Sequence, residues 1–508
     1  MTSIDWAVIV VYLTATISMG AWLSRKQDNL EDYYLGGRGI PWWAALLSMA
    51  ATEASAATFL GAPEQGLTRD LTYLQFSIGT VAARFVLASV FIAAFYRLRV
   101  FTVYGYLTTR FGPPTQGTMA AVFLVGRLFA SGARLFIAAI AIEVATGLDM
   151  RMCIVLLGVV AIAYTLFGGI KAVIWTDVLQ AIVLFGGGLI ALVHLYGSTP
   201  LSGGEIWDFL AAHEKLRVFD LDWRTADGAL AFLYNPYHIL PAVVGGFFLT
   251  MATHGTDHDM VQRLLTCNES AEGQRSLWVS GFVSVGVTCL FLGVGLLLFV
   301  YIQHLAPSHH MAQRATELAA QGRNGHVFLY YIVDVLPVGV GGLVLAAVFA
   351  AAMSSLDSAL SAMSATFVSD FYQPFFRPGA GQRHYLRVGR WATAVAGVLL
   401  IGVALLVVHY YDANPETDLL SIALGIMTFF YGALLGIFLL GFMTTGRGNT
   451  LSNALGAVAS VVVVLLIKNS TAVGWPWFIV IGTLVAFGIA FVGRTAASFV
   501  SQTKPEAG

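Results

Sequence analysis

Ser48-Met-Ala-Ala-Thr-Glu-Ala-Ser-Ala-Ala-Thr-Phe-Leu-Gly61 sets a carboxylate, Glu53, among small and hydroxyl-bearing residues in the middle of an apolar stretch. A charged group at membrane depth is costly and is retained where it faces protein or a water-filled cavity. One reading is a discontinuous helix whose freed carbonyls face an ion and a solute. The other is a tight seam of small residues whose Ser and Thr hydroxyls bond back to their own helix. Glu53 favours the first.

Outward from that stretch, the chain is apolar almost everywhere. Its 508 residues are 57% hydrophobic and 11% charged, with mean hydropathy +0.77, against roughly 25% charged residues in a soluble domain. A crossing helix needs about 20 mostly apolar residues, and such runs recur between short polar loops. Thirteen are predicted, near Trp6 to Leu23, Trp42 to Phe59, Leu71 to Phe95, Met119 to Ala145, Cys153 to Phe167, Val173 to Leu195, Ile239 to Thr253, Leu277 to Ile302, Val338 to Phe371, Trp391 to Val408, Leu419 to Phe442, Leu451 to Ile467 and Trp477 to Val492. The first run lacks a basic flank and a cleavage site and is read as retained. The fold class is therefore an all-α polytopic membrane protein, a single transmembrane domain over residues 1–508.

Basic loops orient the bundle, because Lys and Arg concentrate on the cytoplasmic side. With the N-terminus outside, the inner loops gather Arg25, Lys26, Arg38, Arg97, Arg99, Arg110, Lys171, Arg263, Arg275, Arg377, Arg383, Arg387, Arg390, Arg447, Arg494 and Lys504, about 16 of the 27 basic residues. An odd number of spans then places the C-terminus in the cytoplasm, and the outer loop from His409 to Asp418 is acidic. The expected location is the plasma membrane, the cytoplasmic or inner membrane of a cell. A net charge of −1 offers nothing to nucleic acid. Cys153, Cys267 and Cys289 have neither metal-ligand nor disulfide spacing and are read as packing residues. No attached kinase or nucleotide-binding segment interrupts the spans, and no HExxH, Ser-His-Asp or phosphate-cradling motif stands out, so an enzyme is not expected. The energy source must be a gradient, unless the chain only conducts or senses.

A second polar break is Ala350-Ala-Ala-Met-Ser-Ser-Leu-Asp-Ser-Ala-Leu-Ser361. Ala351, Ser354, Ser355 and Ser358 recur at helical spacing, so several oxygens share a face, with Asp357 beside them. Hard cations favour clusters of neutral and anionic oxygens; a serine-rich helix contact is the competing reading. Asp177 and Thr253-His-Gly-Thr-Asp-His-Asp259 lie near predicted inner helix ends, where a solvated polar terminus is at least as good a reading as a site. Arg84, Arg127, Arg134 and Glu143 are mid-span charges, read only as candidates for buried pairing.

Four pieces in order then resemble the sodium:solute symporter family over nearly the whole chain: Asp32-Tyr-Tyr-Leu-Gly-Gly-Arg38 with Pro41-Trp-Trp; Phe167-Gly-Gly-Ile-Lys-Ala-Val-Ile-Trp-Thr-Asp177; Val261-Gln-Arg263; and Met353-Ser-Ser-Leu-Asp-Ser358 running to Ser369-Asp-Phe-Tyr372. The resemblance implies a leucine-transporter (LeuT) fold. Two inverted five-helix repeats, about 41–197 and 236–445, would be preceded by one extra helix and followed by two. It implies a sodium site on the backbone oxygens of Ala51, Ala54 and Ala351 and the hydroxyls of Ser354 and Ser355. A second sodium site or exit path would use Asp177, Ser354, Asp357 and Ser358; Asp357 stands where family members carry serine, which would strengthen that site, alter it or accept a proton. Substrate contacts would come from Glu53, Thr58, Gln75, Ser77, Thr250, Thr253, His254, Thr428 and Tyr431.

The implied function is sodium-coupled uptake of a small organic solute by alternating access, with sodium as coupling ion and membrane lipid as surroundings. A monomer suffices for this, and the oligomeric state is open. Sugar or amino sugar, monocarboxylate, amino acid and polyol all remain as solutes; proton coupling through Glu53, Asp177 or Asp357, or a channel or sensor, are the alternatives.

Overall fold

The helix that opens at Trp42 stops at Glu53, and the next begins at Ala56, bent 59° away. The computed structural model describes residues 1–23, 29–166, 168–224, 230–414 and 417–494. Its principal helices are α1 Ser3–Leu23, α2 Trp42–Glu53, α3 Ala56–Thr68, α4 Gln75–Val86, α5 Pro113–Thr146, α6 Met150–Thr165, α7 Ile170–Ser198, α8 Ile239–Gly255, α9 His258–Leu265, α10 Ser270–Gln303, α11 Val340–Thr366, α12 Gln382–Ala413, α13 Leu419–Met443, α14 Thr450–Ser470 and α15 Pro476–Val492. Arg25, Lys26, Phe167, Lys504 and positions 415 and 416 of the acidic loop lie outside the described residues.

Among the described residues, ten helices are long and apolar enough to cross a membrane, and eleven if the bent pair α2–α3 is one span. The thirteen predicted spans included α6 and α15, which are apolar but only 16 and 17 residues long. Length and composition thus support ten or eleven crossings. Several ends also move: α12 starts at Gln382, well before the predicted Trp391, carrying Arg383, Arg387 and Arg390 on its first turns.

Side-chain size decides how these helices meet. Helices α2, α3, α4, α8 and α10 pack on one another, and α5, α6, α11, α12 and α13 form a second group. Gly79 shows why the first group is close-set: a Cβ there would lie 2.0 Å from the Val243 carbonyl of α8. At the centre, α11 is enclosed along nearly its whole length, consistent with an Ala/Ser-rich sequence that lets neighbouring backbones approach. Helix α1 is tied to it, because Asp5 accepts the amides of Gly339 (2.7 Å) and Gly342 (3.0 Å) at the N-terminus of α11. A carboxylate there meets the positive end of the helix dipole.

Candidate functional site

The break after Glu53 frees backbone oxygens. In a continuous helix the amides of Ser55 and Ala56 would satisfy the carbonyls of Ala51 and Thr52, but the Ser55 amide turns to the Glu53 carbonyl at 2.9 Å. Two hydroxyls of α11 take the vacated places. Ser354 Oγ donates to the Ala51 carbonyl at 3.0 Å, and Ser355 Oγ to the Thr52 carbonyl at 3.1 Å; both also lie within 3.2 Å of the Ala351 carbonyl. Ala51, Thr52, Ala351, Ser354 and Ser355 thus converge, all buried, with Ala54 ending the helix beside them. Neutral oxygens so grouped suit a hard cation. Thr52 is the member of this cluster that the sequence reading lacked.

One turn along α11, Ser358 Oγ donates to the Ser355 carbonyl at 3.2 Å. Asp357 Oδ1 accepts the Ser358 amide at 2.6 Å, while its Oδ2 is buried without a hydrogen-bond partner. The same is true of Asp177 Oδ1, the Tyr12 hydroxyl and the Gln180 amide, on helices α7 and α1 that pack against α11. Orphaned buried polar atoms are rare, and this group is a natural place for a cation or ordered water.

Asp177 and the Thr253–Asp259 stretch correct the reading of solvated helix ends. Asp177, His254, Thr256, Asp257, His258 and Asp259 are all buried. Asp257 caps α9 through the Asp259 amide at 2.9 Å and accepts the Tyr431 hydroxyl at 2.6 Å. The Arg127 guanidinium bridges Asp257, at 3.0 Å, and Asp259. Arg263 continues the line: it donates to Asp259 Oδ1 at 3.0 Å, to Ser48 Oγ at 2.8 Å and to Asp177 Oδ2 at 3.1 Å. Ser48 itself donates to Asp177 Oδ2 at 2.5 Å. Charges so deep persist only when paired and hydrogen-bonded, and this ladder crosses from α5 and α13 through α9 to α2 and α7.

Between the break and the ladder lies a cavity of about 130 Å³ lined by Glu53, Thr58, Thr250, Thr253 and His254 from the predicted substrate set. Gln75, Ser77, Thr428 and Tyr431 do not line it. Gln75 is taken up by the connection before α8, donating to the Thr72 and Tyr237 carbonyls and accepting the Asp220 amide. Thr428 bonds back to the Gly425 carbonyl at 2.6 Å, and Tyr431 serves the ladder. Glu53 is not a lone carboxylate: Arg84 Nη2 sits at 2.5 Å, Ser284 Oγ at 3.1 Å and His254 Nε2 at 3.7 Å.

The lining that sequence reading missed includes Tyr73, Phe76, Thr80, Ser284, Thr288, Arg127 and Arg134. For the arginines a signal was available, because residues two turns apart on one helix share a face, so Arg127 and Arg134 of α5 both look into the cavity. Arg134 is buried, and its Nε and Nη1 have no hydrogen-bond partner; Nη2 reaches only Met427 Sδ at 3.6 Å. Its guanidinium is an uncommitted fork for planar oxygens. The thiols Cys153 and Cys267 are buried and Cys289 exposed, all free.

With this geometry in place, comparison with known proteins is informative. A model of the sodium:solute symporter family matches residues 33–472. The chain is 29% identical over 496 residues to the sodium/sialic acid symporter NanT of Aliivibrio fischeri, covering 96% of this chain and 92% of that protein. It is 28% identical over 505 residues to the sodium/sialic acid symporter SiaT of Proteus mirabilis, covering 99% and 96%. It is 26% identical over 488 residues to the sodium/glucose cotransporter of Vibrio parahaemolyticus, covering 92% and 86%. A solved structure of a Na+-coupled sialic acid symporter in a substrate-bound outward-open state superposes with a TM-score of 0.84 at 26% identity over 97% of both chains.

Proposed function

We propose, from the premise that this chain belongs to the sodium:solute symporter family, that the solute it carries with sodium is a carboxylated sugar of the sialic acid type. Sodium-coupled symport by a multi-pass LeuT-fold transporter is the activity on which this rests. The observation that carries the substrate class is Arg134: a buried guanidinium with two unused donors in a cavity wall lacks a partner that a ligand carboxylate would supply. Thr58, Thr80, Thr250, Thr253, Ser284 and Thr288 offer hydroxyls to a polyol, and Tyr73 and Phe76 offer ring faces to a sugar. Glu53 does not oppose an acid, because Arg84 neutralises it.

In this reading sodium sits among Ala51, Ala54, Ala351, Ser354 and Ser355, holding the broken helix against α11. The serine hydroxyls, now donating to the Ala51 and Thr52 carbonyls, would turn their lone pairs to the ion. A second sodium belongs with Asp177, Ser354, Asp357 and Ser358, where the unpartnered Asp357 Oδ2 provides a negative ligand. That same oxygen also supports a proton as second coupling ion, and uptake driven by a pH jump without sodium separates the two. The N-terminus is placed outside and the C-terminus in the cytoplasm, from the basic loops.

The test is uptake of radiolabelled sialic acid into proteoliposomes, with sodium or choline outside and with unlabelled glucose, pyruvate and alanine as competitors. Sodium-dependent uptake that resists all three competitors, and loses at least about tenfold in affinity in Arg134→Met, is expected, since a charged hydrogen-bonded pair contributes roughly 1.5–3 kcal/mol. No uptake of sialic acid, or unchanged affinity in Arg134→Met, overturns the substrate assignment.

A further inference from the structure

The two charged clusters around the cavity differ in what they join. Glu53, Arg84, His254 and Ser284 come from α2, α4, α8 and α10, which all belong to one packing group. Their bonds hold that group together and need not change if it moves as a unit. The ladder instead crosses between groups. Arg127 on α5 and Tyr431 on α13, of the second group, hold Asp257 and Asp259 at the start of α9, which packs on α2, α8 and α10 as well as on α11; Arg263 on α9 in turn holds Asp177 on α7, which packs on both α11 and α2. If α9 swings with the first group while α7 stays with α11, these are the bonds that must part.

Arg127 has a foot in both places. Its Nη1 and Nη2 are committed to Asp257 and Asp259, yet its Nε is buried without a partner, and the residue lines the cavity two turns from Arg134. Met260, next to Asp259, lines the same cavity. A carboxylate settling between the two arginines would take up the Nε donor of Arg127. It would also compete with Asp257 and Asp259 for one delocalised charge, weakening the seam bond by bond.

We infer that Arg127 is the residue through which a bound anionic solute loosens the Asp257–Asp259–Arg263–Asp177 seam, so that occupancy of the cavity, and not sodium alone, releases the inner side. This rests on the carboxylated-sugar reading. The groups facing Arg127 are Asp257 and Asp259 from α9, Tyr431 from α13 and Arg134 from its own helix.

Cys267 supplies a reporter. It is buried just past α9, packed with Ile40, Ala44 and Ala45 at the start of α2 and Ile170, Val173 and Ile174 at the start of α7, so parting α2 from α7 would uncover its thiol. The experiment measures N-ethylmaleimide labelling of Cys267 in proteoliposomes, in a Cys153→Ala/Cys289→Ala background. With sodium present, sialic acid should speed labelling at least about tenfold, and glucose should not. In Arg127→Lys that acceleration should disappear while the sodium concentration for half-maximal binding stays put. Acceleration equal to the parent's in Arg127→Lys overturns the inference. Asp259→Asn needs no solute and covers the case in which the arginine variant does not fold: it should label fast in sodium alone. Labelling as slow as in the parent overturns the seam itself, whereas transport of some other solute with fast-labelling Asp259→Asn would defeat only the substrate reading.

Discussion

Removal of one hydroxyl, in Ser355→Ala, tests the proposed sodium cluster most directly. Ser355 Oγ lies 3.1 Å from both the Thr52 and the Ala351 carbonyls and is buried. Without sodium, the substitution removes one interhelical hydrogen bond and leaves the Thr52 carbonyl short of a donor, a cost of about 1–3 kcal/mol to the fold. With sodium, it removes one of a handful of oxygen ligands. A bond to a charged partner is worth about 1.5–3 kcal/mol, and each 1.4 kcal/mol is tenfold. The sodium concentration for half-maximal uptake should therefore rise roughly 10- to 150-fold. The assay is initial-rate uptake into proteoliposomes over a sodium titration, with maximal rate at saturating sodium recorded separately. Ser354→Ala, whose hydroxyl bonds the Ala51 carbonyl at 3.0 Å, should act in the same direction. Because both hydroxyls also reach the Ala351 carbonyl, the double variant should be less than additive. An unchanged sodium half-saturation in both single variants would refute the site, even if maximal rates fell.

Further outcomes follow from other residues. Glu53→Gln should destabilise the fold by roughly 3 kcal/mol, the lower end for breaking a buried pair, because Arg84 is fully buried while the Glu53 side chain is 26% exposed; Glu53→Gln/Arg84→Met should recover part of the loss in a detergent melting assay, and no recovery would deny the pairing. Asp357→Leu bears on stoichiometry: one sodium carried with a carboxylate moves no net charge, so a tenfold sodium gradient supports about tenfold accumulation, and a second sodium at 100 mV adds about 3.7 kcal/mol, roughly a further 500-fold. A reversal-potential measurement giving the same ion-to-solute ratio in the parent and in Asp357→Leu would remove Asp357 and Ser358 from the cycle. Outside the membrane, Lys215 donates to the Leu67 and Arg69 carbonyls at the end of α3, and burial pushes its ammonium down to about 8 from 10.5. Between those values the folded chain holds fewer protons than the unfolded one, so stability should rise with pH from about 8 toward 10.5. Melting curves across that range should lose this slope in Lys215→Met; an identical slope would place the titration elsewhere.

Much of this protein was legible without coordinates. Hydropathy alone dictates a helical bundle, since a membrane interior forbids unsatisfied backbone and leaves a run of 20 apolar residues little other choice. The small and hydroxyl-bearing stretch from Ser48 to Gly61 carried the break for the same reason: it gives lipid nothing to hold and gives an ion its carbonyls. The serines from Ser354 to Ser358 were likewise readable, because helical spacing alone puts their oxygens on a shared face.

Partnership is what the linear order could not supply. Glu53 looked like a free carboxylate awaiting a solute until α4 brought Arg84 to 2.5 Å, and Gln75 looked like a ligand until a connection 145 residues away claimed its side-chain oxygen. Asp177 and Asp257 read as solvated ends because their counter-charges, Arg263 and Arg127, approach only when three helices pack, although Asp259 has Arg263 one turn along its own helix. Arg134 is the converse: a mid-span charge like Arg84 and Arg127 in the sequence, but Arg84, which also keeps two unbonded nitrogens, has Glu53 and Arg127 has Asp257 and Asp259, whereas Arg134 stands in the cavity wall with two spare donors and, among the described residues, no carboxylate bonded to it. Sequence fixes which residues are too costly to bury alone, because that cost is a property of each side chain; which of them is already paid in full, and which still waits for a ligand, is set by distances across the fold.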